Sequence, residues 1–100
     1  MEFQDKVNLF VKKHRLEMKP EFIALDLVSE IGEIAKEILL MSDYGRRESR
    51  FRKEIVLEIG DAFYSLINLA NYYKINLLEA LDLVLEKYEK RISGKHAKRY

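Results

Sequence analysis

Two stretches, FIALDLVSEIGEIAKEILLM at residues 22–41 and EIVLEIGDAFYSLINLANYY at residues 54–73, hold one short pattern in common. It reads Glu30-Ile31-Gly32-Glu33 in the first and Glu58-Ile59-Gly60-Asp61 in the second, 28 residues further on. In both stretches apolar residues recur at three- and four-residue steps, which predicts two amphipathic helices. Residues three apart share a helix face, so each motif turns two carboxylates toward one point. The polar segment between them, DYGRRESR at residues 43–50, has the composition of a helix connection. In the antiparallel hairpin this predicts, both motifs stand roughly 10 to 14 Å from the connection, on opposite sides of one seam. Glu30, Glu33, Glu58 and Asp61 then face one small volume.

Outward from this hairpin the chain predicts two more helices. Glu2 to about Arg15 carries Phe3, Val7, Phe10 and Val11 at helical spacing. Pro20 suits the first turn of the next helix, which runs to about Ser42. The third helix spans about Phe51 to Tyr73. Asn76 caps the fourth, with Glu79 three residues on, and Gly94 ends it. The expectation is an all-α four-helix bundle, with residues 1–93 as one domain and 94–100 as a frayed basic tail. In the second helix the apolar residues from Ile23 to Leu39 sweep half the circumference, and Phe22, Leu25 and Leu40 fall outside that arc. Three neighbouring helices cannot cover so wide a face, so a homo-oligomer is expected.

Composition narrows the chemistry. The chain has 100 residues, 48% hydrophobic and 35% charged, with no cysteine and a net charge of +1. Thiolate metal sites, disulfides and cysteine nucleophiles are excluded, and carboxylates are the abundant reactive groups. No apolar run reaches the roughly 18 residues that span a bilayer. The first ten residues, acidic at Glu2 and Asp5, do not resemble a signal peptide, so the expected location is the cytoplasm and no membrane partner is expected. Basic residues concentrate in the connection (Arg46, Arg47, Arg50, Arg52, Lys53) and after residue 86, without forming a dominant basic face. A nucleic-acid polymer is therefore not an expected partner. The connector cluster, His14 and His96 are expected to be solvated, and Phe3, Phe10, Phe22, Tyr44 and Phe51 to serve the core.

Four like charges at one point repel and raise each other's pKa, so the arrangement makes sense around a cation. Oxygen ligands alone select a hard ion, Mg²⁺ first, with Mn²⁺ as the alternative. The stripe continues along the third helix through Glu54, Ser65, Asn68 and Tyr72, and along the second through Asp26 and Glu37. Gly32 and Gly60 lie inside helices, where glycine costs about 1 kcal/mol relative to alanine, which points to a close backbone approach there.

From about Phe22 to Ile92, ExxE followed by ExxD and the run EIGDAFYSLINLANYYKINLLEALDLVLEKYEKRI resembles the MazG family of all-α nucleoside triphosphate pyrophosphohydrolases. The resemblance implies Mg²⁺-dependent cleavage between the α and β phosphates of a nucleoside triphosphate, yielding the monophosphate and pyrophosphate, in a homodimer or homotetramer. It implies Glu30, Glu33, Glu58 and Asp61 as metal ligands, and Asn68, Lys87 and Arg91 as substrate-binding residues. Ser65 stands where the related phosphoribosyl-ATP pyrophosphohydrolases commonly place a histidine. For the hydrolysis, Glu37 and Glu54 are candidates to orient the attacking water. The expected role is nucleotide-pool house-cleaning. The competing class is a non-catalytic helical oligomer that senses nucleotides or binds proteins.

Overall fold

The structure is a computed structural model, which describes residues 2–94. Four helices follow in order: α1 Glu2–Lys13, α2 Pro20–Met41, α3 Glu54–Tyr72 and α4 Leu77–Ser93. The described residues contain no strand, and none of their helices is long and apolar enough to cross a membrane. The all-α class and the count of four helices agree with the sequence.

The antiparallel α2–α3 pair is the main packing unit, and α1 lies against α3. On α2, Ile23, Leu27, Glu30, Ile34, Glu37 and Met41 are all buried or half-buried. Their alternating three- and four-residue steps draw one stripe along the helix. On α3 the matching stripe is Ile55, Glu58, Ala62, Ser65 and Leu69, while Ile67, Ala70 and Asn71 turn to another side. Glu30 and Glu58 thus occupy positions that a hydrophobic seam would give to apolar side chains.

The helix ends show why some boundaries move. α1 stops at Lys13 because Arg15 enters the left-handed region (φ 54°) and the Leu16 N–H returns to the Val11 carbonyl at 2.9 Å. Asp43 and Tyr44 (φ 49° and 59°) end α2 in the same way, and Lys74 (φ 56°) ends α3. α3 begins at Glu54, three residues later than the sequence suggests. The Arg50 N–H is held by the Met41 carbonyl at 2.9 Å, and the Arg52 side chain reaches back to Glu37. The chain therefore crosses the end of α2 before it can turn helical. Asn76 caps α4 as expected, accepting from the Glu79 N–H at 3.1 Å. Gly94 closes that helix, and the expected frayed tail falls at 95–100, outside the described residues.

Within one chain the bundle is open. α4 has no buried residue and only marginal contact with the other helices. Its orientation rests on the turn before it, where the Gln4 side chain donates to the Ile75 carbonyl (2.6 Å) and Asn71 Oδ1 (3.0 Å) and accepts from the Leu77 N–H (2.8 Å). The radius of gyration is 17.4 Å, against about 13 Å for a compact chain of 100 residues. The accessible surface is 8335 Å², where a compact monomer of this mass exposes about 5,900 Å².

Two expectations are corrected here. Phe3, Phe10, Phe22, Tyr44 and Phe51 are all about half exposed or more, so none is a core residue of the single chain. Phe3 meets Phe63 edge-on and Phe10 meets Tyr64 edge-on, which makes them surface pairs at the α1–α3 contact. Nor do Gly32 and Gly60 mark a close approach between α2 and α3. A Cβ at either would meet nothing within 4 Å, because both point away from the seam.

Candidate functional site

The α2 and α3 motifs meet across the seam, bringing together three of the four carboxylates that their spacing aimed at one volume. Carboxylate oxygens of Glu30, Glu58 and Asp61 lie within 4.8 Å of one another. Glu30 and Glu58 are half-buried in the seam and Asp61 is exposed at its edge. Desolvation in the helix pair, then the charges of Asp61 and Glu58, hold Glu30 above the ordinary carboxylate value of 4.5. Glu58 is raised as well, by desolvation first and then by the charges of Glu33, Asp61 and Glu37. Glu33 stands outside the tight trio, on the exposed side of α2, yet its charge acts on both seam glutamates. Three carboxylates that share so small a space, with Glu30 and Glu58 raised above the ordinary carboxylate value, form a donor set suited to a hard divalent cation.

Glu37 lies one turn beyond Glu33 on α2, and both its oxygens are engaged by Arg52: Nε to Oε1 at 2.9 Å and Nη2 to Oε2 at 3.4 Å. Glu54 opens the first turn of α3, one turn before Glu58. Asn68 lies two turns past Asp61, beside Asp26 and Ser65 in the lining of a separate cavity. Lys87 and Arg91 stand on α4, whose contact with the other helices is marginal. They flank the Tyr88 ring on α4, at 5.2 Å and 5.8 Å from its centroid.

The connector is more ordered than its composition suggested. Arg47 donates through Nη1 to the Met41 carbonyl at 2.6 Å and through Nη2 to the Leu40 carbonyl at 3.3 Å, closing the C-terminal end of α2. Arg46 pairs with Asp43 on the surface. Arg52 serves Glu37, so two of the five basic residues expected to be solvated organise the site's frame. His14 is exposed, its ring 4.6 Å from that of Phe10, and His96 lies outside the described residues. Sequence spacing could have flagged Arg52 and Glu37 only through their opposite charges, a signal many pairs share. The cavity formed by Asp26, Ser65 and Asn68 needs the α1–α2 linker as a wall, and the helical pattern carries no trace of that.

A helix hairpin with clustered carboxylates across its seam defines an all-α protein with an acidic centre. The chain belongs to the MazG nucleotide pyrophosphohydrolase domain family, whose profile matches residues 18–95. Its fold is similar to the crystal structure of the "putative pyrophosphatase YpjD" from Bacillus subtilis, with a TM-score of 0.73 and 31% identity over 89% of this chain and 91% of that one. The curated Bacillus subtilis protein YpjD, described as uncharacterized, is 37% identical over 68 residues. That match takes in 65% of this chain and 60% of the relative's length.

Proposed function

We propose that this protein hydrolyses a nucleoside triphosphate between the α and β phosphates, releasing the nucleoside monophosphate and pyrophosphate, in a nucleotide-pool house-cleaning role in the cytoplasm. The observation that carries this reading is the meeting of Glu30 with Glu58 and Asp61 across the α2–α3 seam. Family membership supports the reaction type. Glu30, Glu58 and Asp61, with Glu33 beside them, would hold Mg²⁺, or Mn²⁺ in its place. When bound, the ion supplies charge neutralisation and polarises phosphate oxygens.

The remaining work falls to the chain's own residues. Because Arg52 occupies both Glu37 oxygens, Glu54 is the better placed of the two candidates to orient water and accept its proton. The oxygen of that water joins phosphorus as the bridging bond between the α and β phosphates breaks. Asn68 contacts the substrate beyond the cluster. The surface in excess of a compact monomer and the uncovered apolar face of α4 support a homodimer or homotetramer. Lys87 and Arg91 stand on α4, which makes only marginal contact with the other helices, so in such an assembly they serve the triphosphate of a second copy.

A panel of nucleoside triphosphates incubated with Mg²⁺, with the products separated by chromatography, tests the reading. Monophosphate plus pyrophosphate is the expected result, lost on addition of EDTA and in Glu58→Gln. Diphosphate plus orthophosphate would reject the bond assignment, and no turnover of any triphosphate would reject the reaction.

A further inference from the structure

At the far end of α3 from the connector, the first turn of α1 meets the turn between α3 and α4. Gln4 is 8% exposed there, and both polar atoms of its side chain are bonded. Its Nε2 donates to the Ile75 carbonyl at 2.6 Å and to Asn71 Oδ1 at 3.0 Å, while its Oε1 accepts from the Leu77 N–H at 2.8 Å. Asn71 Nδ2 donates back to the Gln4 carbonyl at 2.9 Å. These four hydrogen bonds join α1 to the last turn of α3, to the connecting turn and to the first residue of α4. Lys74 takes left-handed backbone (φ 56°), and the Ile75 N–H closes α3 on the Ala70 carbonyl at 2.9 Å. The Ile75 carbonyl is then the group that Gln4 serves.

Packing does little to hold this turn. Gln4 and Asn71 border an open cavity of about 460 Å³, with Asn8, Lys12 and Lys74 around it, and Ile75 and Asn76 are exposed. α4 itself has no buried residue and only marginal contact with the other helices. Directional hydrogen bonds therefore fix the angle at which α4 leaves the bundle. That angle matters at a distance. Lys87 and Arg91 lie ten and fourteen residues past Leu77, so they stand about 15 Å and 21 Å along the helix. A tilt of about 10° at the turn would carry Arg91 through about 4 Å. A hydrogen bond tolerates only a few tenths of an ångström, and a misplacement of about 1 Å can cost a hundredfold in rate.

We propose that Gln4 and Asn71 are positioning residues, which set the angle of α4 through the turn and so place Lys87 and Arg91 against the phosphates. The assignment rests on the proposed function, because it takes those two cations to bind substrate. Both amides act through α4 and not by contact with the substrate. Glutamine suits the place because one side chain must donate twice and accept once, which an ionised glutamate cannot do. Water entering from the open cavity can take over these bonds when the amide is removed. Loss of Gln4 therefore costs the angle of α4 before it costs the fold.

The chain has no cysteine, so Lys36→Cys on α2 and Lys90→Cys on α4, both exposed positions, can carry a pair of nitroxide labels. Label-to-label distances are measured in labelled chain diluted into unlabelled chain, with Gln4, Asn71 or Val11 changed to alanine in turn. Val11 is 5% exposed on α1 and outside the four bonds, so it controls for a mere loss of packing. Unlabelled forms are titrated calorimetrically with inorganic pyrophosphate in Mg²⁺, alone and combined with Lys87→Ala/Arg91→Ala. Gln4→Ala and Asn71→Ala should broaden the distance distribution and weaken pyrophosphate binding by about tenfold, with helicity retained. Adding Lys87→Ala/Arg91→Ala should then weaken it little further, because the cations are already out of place. Val11→Ala should lower the melting temperature and leave distance and affinity as in wild type. Wild-type distances in both amide variants, unchanged affinity in both, or a full further loss on combination would overturn the proposal. Failure of the catalytic reading would show differently, as no pyrophosphate release from any triphosphate by the wild-type protein.

Discussion

The Arg52 guanidinium closes on the Glu37 carboxylate through two contacts, 2.9 Å and 3.4 Å, and so ties the start of α3 to the inner face of α2 one turn from Glu33. Glu37 is 8% exposed, and without Arg52 it would become a buried, unpaired charge beside an already repelling cluster. Glu58 feels the Glu37 charge as it is.

Arg52→Ala should lower the urea midpoint more than Glu37→Gln does, because the first leaves a charge stranded and the second removes it. The double variant should recover part of the loss, a coupling that urea titrations of the four proteins measure. If Arg52→Ala unfolds at the wild-type midpoint, the pair is not holding the connector in place.

The cluster should make the metal-free protein less stable as pH rises. Glu30 and Glu58 are raised above 4.5 in the folded state, so the folded protein holds more protons than the unfolded chain above that pH. The slope of unfolding free energy with pH is then negative across the window from the unfolded value up to the folded one. Their contribution is most favourable below the unfolded value and is lost as pH passes the folded value. In EDTA, the melting temperature of Glu30→Gln relative to wild type should therefore climb from pH 4.5 to neutral pH. Added Mg²⁺ should reverse the ranking. A difference that stays flat with pH would mean the carboxylates do not repel as their spacing implies.

The hairpin, its antiparallel sense and the meeting of the two motifs were legible because helical period and motif spacing are local properties that register converts into distance. Asn76 and Gly94 were legible as caps for the same reason. The ends of α1, α2 and α3 were not, since Arg15, Asp43, Tyr44 and Lys74 take left-handed backbone that sequence assigns to glycine first. Nor was the open position of α4, because an apolar stripe says that a face wants cover and not which chain covers it. Ser65 reads as one polar residue on a stripe. Its place in the lining of a cavity comes only from the register of α3 against α2 and the linker before it.

Gly32 belongs to an exposed stripe of α2 with Leu25, Val28 and Leu39, and Gly60 to one of α3 with Val56 and Phe63. In a lone chain, Gly32→Ala should stabilise the helix by about 1 kcal/mol, since nothing crowds the new methyl group. In the proposed oligomer the same stripe is where a second copy's backbone can come close, and the methyl group should weaken association. Light scattering across micromolar dilutions, paired with melting curves, separates the two. The variant should dissociate at higher concentration than wild type, and unchanged association would place the contact elsewhere.

Each of Glu30→Gln, Glu58→Gln and Asp61→Asn should reduce kcat by at least about a hundredfold, the range lost when a group stabilising transition-state charge is removed. Glu33→Gln should also disable turnover, with a larger share of its effect recovered at high Mg²⁺ because it lies outside the tight trio. Helicity should survive in all four, as one repelling charge is removed from each. Near-native kcat in any of the four would remove that residue from the set holding the ion.

Lys87 and Arg91 should act in trans. They share a face of α4, four residues apart, and can present two cations to one phosphate group, with Arg91 able to bind it through two parallel hydrogen bonds. α4 makes only marginal contact with α2 and α3. The double variant Lys87→Ala/Arg91→Ala should lose at least tenfold in kcat/KM, equivalent to about 1.4 kcal/mol of transition-state binding, with little change in melting temperature. Co-expressing it with Glu58→Gln under separate tags, then isolating the mixed assemblies, tests where the cations work. If they serve the neighbouring cluster, each mixed dimer pairs one intact set of carboxylates with the other chain's intact basic residues. An unselected random mixture would then recover about a quarter of wild-type activity. If they serve their own cluster, no site in a mixed assembly is complete, and activity stays at the level of the weaker parents.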